Sequence, residues 1–383
     1  MAWSLAGAAL LLALGQGAAT AATITVTTNN PSVISDGQCS LIEAIINANN
    51  DAATHADCAA GSGADTIVLP ANANMTLRVG LPSITSEITI EGNGTVIARQ
   101  GNAPAFGLVA VYNSGDLTLQ NVTLSGGSSS GSGGGVYNSG TLSIKNSTIS
   151  SNTANSRGGG GVFNFGTLSI ENSTISGNTA NSRGGGIYNW YGSLSIENST
   201  ISGNTAHDGG GVFNSAGVLT ITNSTVSGNV ANEAGGLFNS YFDYGFGPSA
   251  ATLTLNNSLI AGNQATVAPQ IENVSSTVTA NNFNLFGANG NAGVSGFTPG
   301  PTDIVPSVST AQILGPLKNN GGPAQTHALL AGSPAIDAGD PGGSRNNLGA
   351  FLQTDQRGFA RHVDGNSDGT VRCDIGAVEF GAG

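Results

Sequence analysis

The fold is decided by the stretch GGGVYNSGTLSIKNSTIS, residues 133–150, which recurs four more times with small changes before residue 264. The glycine ahead of the first β-branched or leucine residue recurs at steps of 26, 25, 25 and 25 residues. A period this regular predicts a repeat architecture in which each unit packs on its neighbours. Three columns of identical residues mark the repeat: Gly135, Gly161, Gly186, Gly211 and Gly236; Asn138, Asn164, Asn189, Asn214 and Asn239; and Asn152, Asn178, Asn204, Asn229 and Asn263.

Each unit alternates apolar with polar residues, as in Leu142, Ser143 and Ile144. Alternation with period two and an enrichment in β-branched residues predict strands, and no window of the repeats keeps a helical spacing. This excludes the helical repeat folds. A leucine-rich repeat is excluded because its leucine ladder is absent, and a propeller is excluded because one blade needs about twice this length. The remaining fold is a parallel β-helix with one coil per unit. We expect it to be right-handed, because parallel crossovers strongly prefer that hand.

Stacked coils place equivalent residues one strand spacing apart, about 4.8 Å. Asparagine at a fixed corner is expected to bond its amide to the coil above, and glycine runs supply the positive φ values that the corners need. Two apolar columns are expected inside the rod: Leu142, Leu168, Leu194, Leu219 and Leu253; and Ile144, Ile170, Ile196, Ile221 and Leu255. A third column is expected on the outside: Lys145, Glu171, Glu197 and Thr222.

The composition limits the classes of partner. The chain has 383 residues with 59 Gly, 39% hydrophobic residues and only 8% charged residues, which is too apolar for a disordered Gly/Ser chain and fits a solenoid with a thin core. Its formal net charge is −12. Nucleic acid is therefore not expected as a partner, because binding phosphates needs a basic surface.

Residues 1–22 are predicted to be a secretory signal peptide. The apolar run 10–14 is followed by small residues that include an A-x-A site, Ala19-Thr20-Ala21. The segment before the run contains no Lys or Arg, which a start codon further upstream would explain. No later stretch is long enough to span a bilayer, so we expect no transmembrane segment in the mature chain.

A short amphipathic helix is predicted after Cys39. Ser40 and Glu43 stand at capping-box spacing, and Leu41, Ala44, Ile45 and Ala48 fall on one helical face. Such a helix would cover the open end of the first coil, as the terminal caps of solenoids do. In an exported protein we expect a disulfide between Cys39 and Cys58, with a zinc site as the weaker alternative.

Several motifs resemble known families. Residues 39–49 resemble the CSLREA element near the start of secreted bacterial β-helix proteins, although Ile42 replaces its usual Arg. Residues 333–337, 355–358 and 373–377 resemble the choice-of-anchor Q domain, and the central units are similar to the repeats of polymorphic outer-membrane proteins. The resemblance implies an exported bacterial β-helix with capped ends, secreted or displayed at the cell surface or outer membrane. The resemblance implies no established catalytic residues.

The fold class is therefore all-β, a pectate-lyase-like right-handed parallel β-helix with coils of about 25 residues, an N-terminal capping helix and a C-terminal cap. We expect four parts: the signal peptide at 1–22, an N-terminal cap with the short helix and first strands at 23–87, the rod at 88–313, and a choice-of-anchor Q-like cap at 314–383. The insert at 290–306 is expected to be a loop that leaves the rod.

The best candidate for a metal site is the loop Asp364-Gly-Asn-Ser-Asp-Gly, which matches the calcium pattern D-x-[DN]-x-[DN]-G. Asp364, Asn366 and Asp368 would supply side-chain oxygens, Thr370 its backbone carbonyl, and Asp374 a further side chain. The glutamate that completes an EF-hand loop is missing. Structural calcium that locks the C-terminal cap is one interpretation, and a plain Asx/Gly turn is the other.

An aromatic column is the candidate binding surface. If it faces outward, it forms a strip suited to stacking on sugar rings or a protein partner; the alternative is an interior or loop-covered stack. Its members are Tyr112, Tyr137, Phe163, Tyr188, Phe213 and Phe238.

Whether the protein is an enzyme depends on its acidic residues, because polysaccharide cleavage needs a cluster of carboxylates or a base beside bound calcium. Few acidic residues lie between 117 and 250, and we do not expect them to converge on adjacent coils: Glu171, Glu197, Asp208, Glu233 and Asp243. We therefore expect a non-catalytic adhesin-like or structural module that binds a polysaccharide or a host or cell-surface protein. The alternative is a polysaccharide lyase or glycoside hydrolase acting on acidic polysaccharides.

Overall fold

In the computed structural model the chain winds into a right-handed parallel β-helix of about nine turns, with about 26 residues per coil. The structure describes residues 20–241 and 250–383. The fold class predicted from the repeat is confirmed. The predicted signal peptide, residues 1–22, lies almost entirely outside the described residues. Within the described ranges, no helix is long and apolar enough to cross a bilayer.

Two sheets form the main walls of the rod, and every strand pair in them is parallel. The larger has 17 strands that fall in two runs, because Glu87–Arg99 and Asp116–Ser125 each pass through both. Its first run also contains Thr23–Thr25, Asp65–Val68, Thr141–Lys145, Thr167–Glu171, Ser193–Glu197, Val218–Thr222, Thr252–Asn256 and Thr277–Thr279. Its second run also contains Asn74–Leu77, Thr148–Ser150, Thr174–Ser176, Thr200–Ser202, Thr225–Ser227, Leu259–Ile260 and Leu285–Phe286.

The other wall, which we call the outer sheet, has eight strands, and a small sheet of three strands precedes it in the coil. The strands of the outer sheet are Val109–Val111, Val136–Asn138, Val162–Asn164, Ile187–Trp190, Val212–Ser215, Leu237–Ser240, Ile271–Val274 and Val294–Ser295. The small sheet contains Ser128–Ser129, Thr153–Ala154 and Thr179–Ala180.

The two apolar columns stack as predicted. Leu168 lies opposite both Leu142 and Leu194, and the isoleucine column keeps the same register. The side chains of both columns are buried in one continuous core. The outside column is confirmed as well, since Glu171 lies between Lys145 and Glu197. A regular coil length keeps every column in register, so the core continues through the repeats.

Both asparagine columns form hydrogen-bonded ladders. The Asn164 amide donates to Oδ1 of Asn189 at 2.7 Å, and Asn189 donates in turn to Asn214 at 2.7 Å. The second ladder repeats this between Asn178 and Asn204 at 2.9 Å. These side chains are buried, so each ladder provides partners for amides that burial would otherwise leave unsatisfied.

Replacing Asn189 with alanine is expected to lower the free energy of unfolding by about 2 kcal/mol. The substitution removes the donor to Asn214 and the acceptor for Asn164 inside the buried ladder. Urea titration followed by circular dichroism measures the change. Asn181→Ala is the control, because Asn181 is exposed and donates only to the Asn155 carbonyl, and we expect it to change stability by less than about 0.5 kcal/mol. Equal effects of the two substitutions would contradict a stabilising ladder.

The helix Leu41–Asn50 covers the first coils and confirms the N-terminal prediction. Ser40 is its N-cap: its hydroxyl accepts from the Glu43 amide at 3.3 Å, and the Glu43 carboxylate accepts from the Ser40 amide at 3.0 Å. All four residues of the predicted apolar face are buried in the rod core. Cys39 and Cys58 form the predicted disulfide, which joins the start of the helix to the loop after it.

The C-terminal segment, residues 314–383, covers a side of the rod and not only its open end. It follows the short helix Thr310–Ile313 and contains one antiparallel pair, Leu314–Lys318 with Thr326–Leu329. It bonds to the coil turns along much of the rod, from the Thr174 hydroxyl to the Asn257 amide. The polar turns of the repeat offer the hydrogen-bond partners that hold this segment along the flank.

The prediction that the insert at 290–306 forms a loop outside the rod is wrong. The insert does not leave the rod, because Val294–Ser295 pairs with Ile271–Val274 and Ile304 bridges Leu285, both in parallel. Phe297 packs on the core beside Phe286, with ring centroids 6.0 Å apart. The segment is therefore a further coil whose sequence has lost the repeat pattern.

Candidate functional site

The aromatic column lies on the outward side of the outer sheet. Val136, Val162 and their equivalents face the core, and strand side chains alternate, so the residues between them point away from it. Phe163 and Tyr188 lie opposite each other in register, with ring centroids 5.3 Å apart and planes at 89°. The aromatic residues pack on each other in a cluster separate from the rod core. The column is thus outward-facing, and most of its rings are covered by neighbouring residues.

Tyr112 does not belong to this column, which corrects the prediction. Val109 pairs with Val136, so Ala110 is the residue in register with Tyr137. Tyr112 follows its strand and contacts only the edge of the column, with its ring centroid 6.0 Å from that of Tyr137. The misalignment arises because the coil before the first clear repeat is longer than 25 residues.

A groove opens beside the centre of the column. It has a volume of about 810 Å³, and its walls are mostly apolar. Phe165 and Tyr191 expose 48% and 38% of their surface, whereas Phe163 and Tyr188 are buried. Its lining residues are Ser156, Arg157, Phe163, Phe165, Ser182, Arg183, Tyr188, Trp190 and Tyr191.

Three of the aromatic residues in the groove escaped the sequence analysis. Phe165 and Trp190 each stand two positions after a residue of the column, so the period-two alternation of a strand places them on the same side. Trp190 contacts both exposed rings of the groove: its ring centroid lies 5.6 Å from that of Phe165 and 5.9 Å from that of Tyr191. Tyr191 has a φ of 56°, a left-handed conformation that is uncommon for tyrosine. Alternation was the signal that could have found Phe165 and Trp190.

The charge reverses along the turn that borders the groove. Arg183, Asp208 and Glu233 occupy equivalent positions on three successive coils. Arg157 precedes them one coil earlier and is exposed, and the Arg183 guanidinium lies 5.2 Å from the centre of the Phe213 ring. The turn beside the groove is therefore positive on the earlier coils and negative on the later ones.

The acidic residues considered in the sequence do not gather as one set, but two of them lie near a third carboxylate, Glu272, from beyond residues 117–250; Glu171 and Glu197 pair elsewhere, on the large sheet. Asp208 and Glu233 are direct neighbours on adjacent coils, and Glu272 lies opposite Phe238 in the outer sheet. The pKa of Glu272 is raised above its ordinary value, first by burial and then by repulsion from Glu233 and Asp208. Glu272 was overlooked because an insertion in the sequence breaks the 25-residue spacing that would have aligned it with Phe238. Asp243, another of the acidic residues considered, lies outside the described residues.

The outside column of Lys145, Glu171 and Glu197 lies on the large sheet, away from the groove. Glu197 is partly covered by the C-terminal segment, and its carboxylate accepts a hydrogen bond from the Asn347 amide at 2.9 Å. Burial raises the pKa of Glu197 above its ordinary value, the hydrogen bond from Asn347 opposes this, and repulsion from Glu171 adds to it. Glu197 thus serves the contact between the rod and the C-terminal segment.

The loop 364–370 is hydrogen-bonded as an Asx turn. The Asp364 carboxylate accepts from the amides of Asp368 and Gly369, and Asn366 and Asp368 accept from the amides two residues later. Asp374 is buried, and its oxygens accept from the amides of Asp337 and Phe380. In the described part of the chain, no group of three His, Cys, Asp or Glu side chains is placed to hold a metal. Calcium binding by this loop, with Thr370 and Asp374, stays a prediction.

A buried ionic cluster holds the C-terminal segment to the rod. The fully buried Arg361 donates to Oδ1 of Asn198 and to the Gly376 carbonyl, both at 2.7 Å, and lies 3.5 Å from the Glu379 carboxylate. Burial raises the pKa of Glu379 to about 9 and that of Asp374 to about 6, and the attraction of Arg361 offsets only part of either effect. These residues lie in or beside the motifs that resemble the choice-of-anchor Q domain, and the structure gives them a docking role.

No protein-family model and no curated protein sequence matches the chain. Among solved structures, the crystal structure of pectate lyase Pel9A superposes with a TM-score of 0.50 and 14% sequence identity, covering 94% of this chain and 96% of that one. At this identity the similarity concerns the fold alone. The chain is thus similar to that lyase in its parallel β-helix.

Proposed function

We propose that this protein is an exported, non-catalytic binding module, adhesin-like or structural, whose aromatic groove takes a glycan or a protein partner. The observation that carries the proposal is the groove itself, with Phe165 and Tyr191 exposed above a packed aromatic layer. Amphipathic rings held rigidly supply large contact areas at low entropic cost, as at many binding surfaces. The Cys39–Cys58 disulfide supports export, since such bonds persist in oxidising compartments.

The rest of the rod exterior supports binding rather than catalysis. The outward positions of the large sheet are mostly Ser, Thr and Asn, and the groove is lined by aromatic, serine and arginine side chains without a carboxylate. Hydrolysis of a glycosidic bond uses two carboxyl groups that face the bond from both sides. A groove without such a pair suits retention of a chain better than its cleavage.

A second candidate function is cleavage of an acidic polysaccharide, and the cluster of Asp208, Glu233 and Glu272 is the observation that favours it. A carboxyl group whose pKa is raised by its surroundings, with other carboxyl groups nearby, is an arrangement found in general acids. We rank this candidate second because none of the three carboxylates lines the groove: Asp208 and Glu233 lie in the bordering turn on later coils, and Glu272 lies in the outer sheet.

Replacing Tyr191 with asparagine is expected to weaken binding of the ligand found on a glycan array about tenfold. Asparagine tolerates the left-handed conformation of residue 191, so this change removes the ring without straining the backbone. Trp190→Ala is expected to have at least the same effect. Isothermal titration measures the affinity of both variants. The glycan array is run once with calcium and once with a chelator, so that any effect of calcium at the loop 364–370 is seen.

The matched control is Tyr112→Ala, since Tyr112 is 48% exposed but does not line the groove. We expect this variant to bind like the wild type. If Tyr191→Asn and Trp190→Ala fold normally and bind unchanged, the groove is not the site. If the wild type shortens an acidic polysaccharide and Glu272→Gln abolishes this, the second candidate replaces the first.

A further inference from the structure

We infer that the groove is selective for an anionic saccharide chain, whose acidic groups lie against Arg157 and Arg183 while its sugar rings pack on Phe165, Trp190 and Tyr191. This inference rests on the proposed function and specifies its ligand. It follows from three observations: the position of the cations, the interval between the aromatic residues, and the charge reversal along the bordering turn.

Two arginine side chains give the groove a local positive charge. The chain has only 10 Lys and Arg against 22 Asp and Glu, yet two of those ten line this one groove. A local positive site on a protein of net charge −12 attracts anions that the remaining surface repels. The guanidinium group binds carboxylates and sulfates through paired N–H donors, so a ligand with such groups complements the groove.

The interval between the aromatic residues favours a saccharide over a peptide. The rings that face the groove have centroids 5.6 Å apart from Phe165 to Trp190 and 5.9 Å apart from Trp190 to Tyr191. This interval is close to the length of one pyranose residue in an extended chain. An extended peptide presents side chains to one face at about 7 Å, so it loses register with the coils within a few residues.

The charge reversal limits how far an acidic ligand can extend along the rod. Arg183 is followed on the next two coils by Asp208 and Glu233, and then by the Glu272 carboxylate near the column. An acidic chain that continued over these coils would meet like charges, which oppose binding. The geometry therefore limits the acidic groups to the coils of Arg157 and Arg183.

The test compares short oligouronates, including oligogalacturonate, oligomannuronate and a hyaluronan fragment, with the methyl ester of each. Esterification keeps the ring and the length but removes the charge. By isothermal titration at low salt, at least one acid is expected to bind about tenfold tighter than its ester. Arg157→Gln is expected to weaken binding of that acid about fivefold and to leave the ester unchanged. Raising the salt to about 1 M, where the Debye length is about 3 Å, should remove most of the difference.

Arg78→Gln is the matched control, because Arg78 is exposed and lies far along the rod, where it donates to Gln100. It removes the same charge and is expected to have no effect on binding. If acids and esters bind equally and Tyr191→Asn weakens both, the anionic inference fails while the binding function stands. If an acidic peptide such as polyglutamate binds in the groove and the saccharides do not, the saccharide inference fails. If no saccharide or peptide binds the wild-type groove, the proposed function fails as well.

Discussion

Replacing Arg361 with methionine is expected to lower the free energy of unfolding by about 3–5 kcal/mol and to release the C-terminal segment from the rod. Methionine keeps much of the side-chain volume but removes every donor. The Asn198 side chain and the carbonyls of Asn223 and Gly376 then remain buried without their partner, and Glu379 loses its only described cation. Buried polar groups deprived of a partner account for most of the destabilisation.

Two measurements check this result. Urea titration gives the change in stability, and limited proteolysis with chymotrypsin reports whether residues 314–383 become accessible. Arg345→Met is the control within the same segment, because Arg345 is exposed, donates only to the Gly349 carbonyl and stacks on Phe351. It is expected to change the free energy of unfolding by less than about 1 kcal/mol. A protected C-terminal segment in the Arg361 variant would contradict the docking role.

The protein is expected to lose about 2 kcal/mol of stability as the pH rises from about 7 to about 9. Burial raises the pKa of Glu379 from 4.5 to about 9 in the folded state, so the folded protein keeps a proton that the unfolded chain has already released. The stability contributed by a group with a raised pKa is fully present at pH values below the pKa of the unfolded chain. It decreases as the pH rises towards the pKa of the folded protein. The expected slope is about 1.4 kcal/mol per pH unit.

Glu379→Gln isolates this effect, because glutamine has the same shape and does not titrate. The variant is expected to show a flat free energy of unfolding between pH 7 and pH 9, measured by urea titration at each pH. Asp374, with a pKa raised to about 6, and His327, with a pKa lowered by burial, act below this window, and burial raises the pKa of the Cys373 thiol above its ordinary value. A wild-type protein whose stability does not decrease over this range would show that Glu379 is ionised in the folded state.

The aromatic groove and the docked C-terminal segment involve different parts of the coil. The aromatic groove lies on the outer sheet, whereas Arg361 and Glu379 hold the C-terminal segment against the turns after the first run of the large sheet. Variants in one region can therefore serve as folding controls for the other. Release of the C-terminal segment without loss of ligand binding is the expected result for Arg361→Met.

The candidate site was only partly predictable from the sequence. The outward face of Phe163, Tyr188, Phe213 and Phe238 follows from strand alternation, but whether neighbouring residues cover it does not. Tyr112 was wrongly aligned because its coil departs from the repeat length, and Glu272 was overlooked because an insertion separates it from the earlier coils. Patterns that depend on a constant period lose their predictive value where that period changes.

The sequence by itself determined the coil length, the leucine and isoleucine stacks, both asparagine ladders, and the capped helix with its disulfide. Each of these is local or repeats every 25 or 26 residues, so one coil specifies its neighbours. Only the tertiary structure decided which side residues 314–383 cover, how Arg361 reaches Asn198 across 163 residues, and where the groove opens. Those contacts occur once, between distant segments whose pairing is set by shape and polar satisfaction, and no periodic pattern in the sequence encodes them.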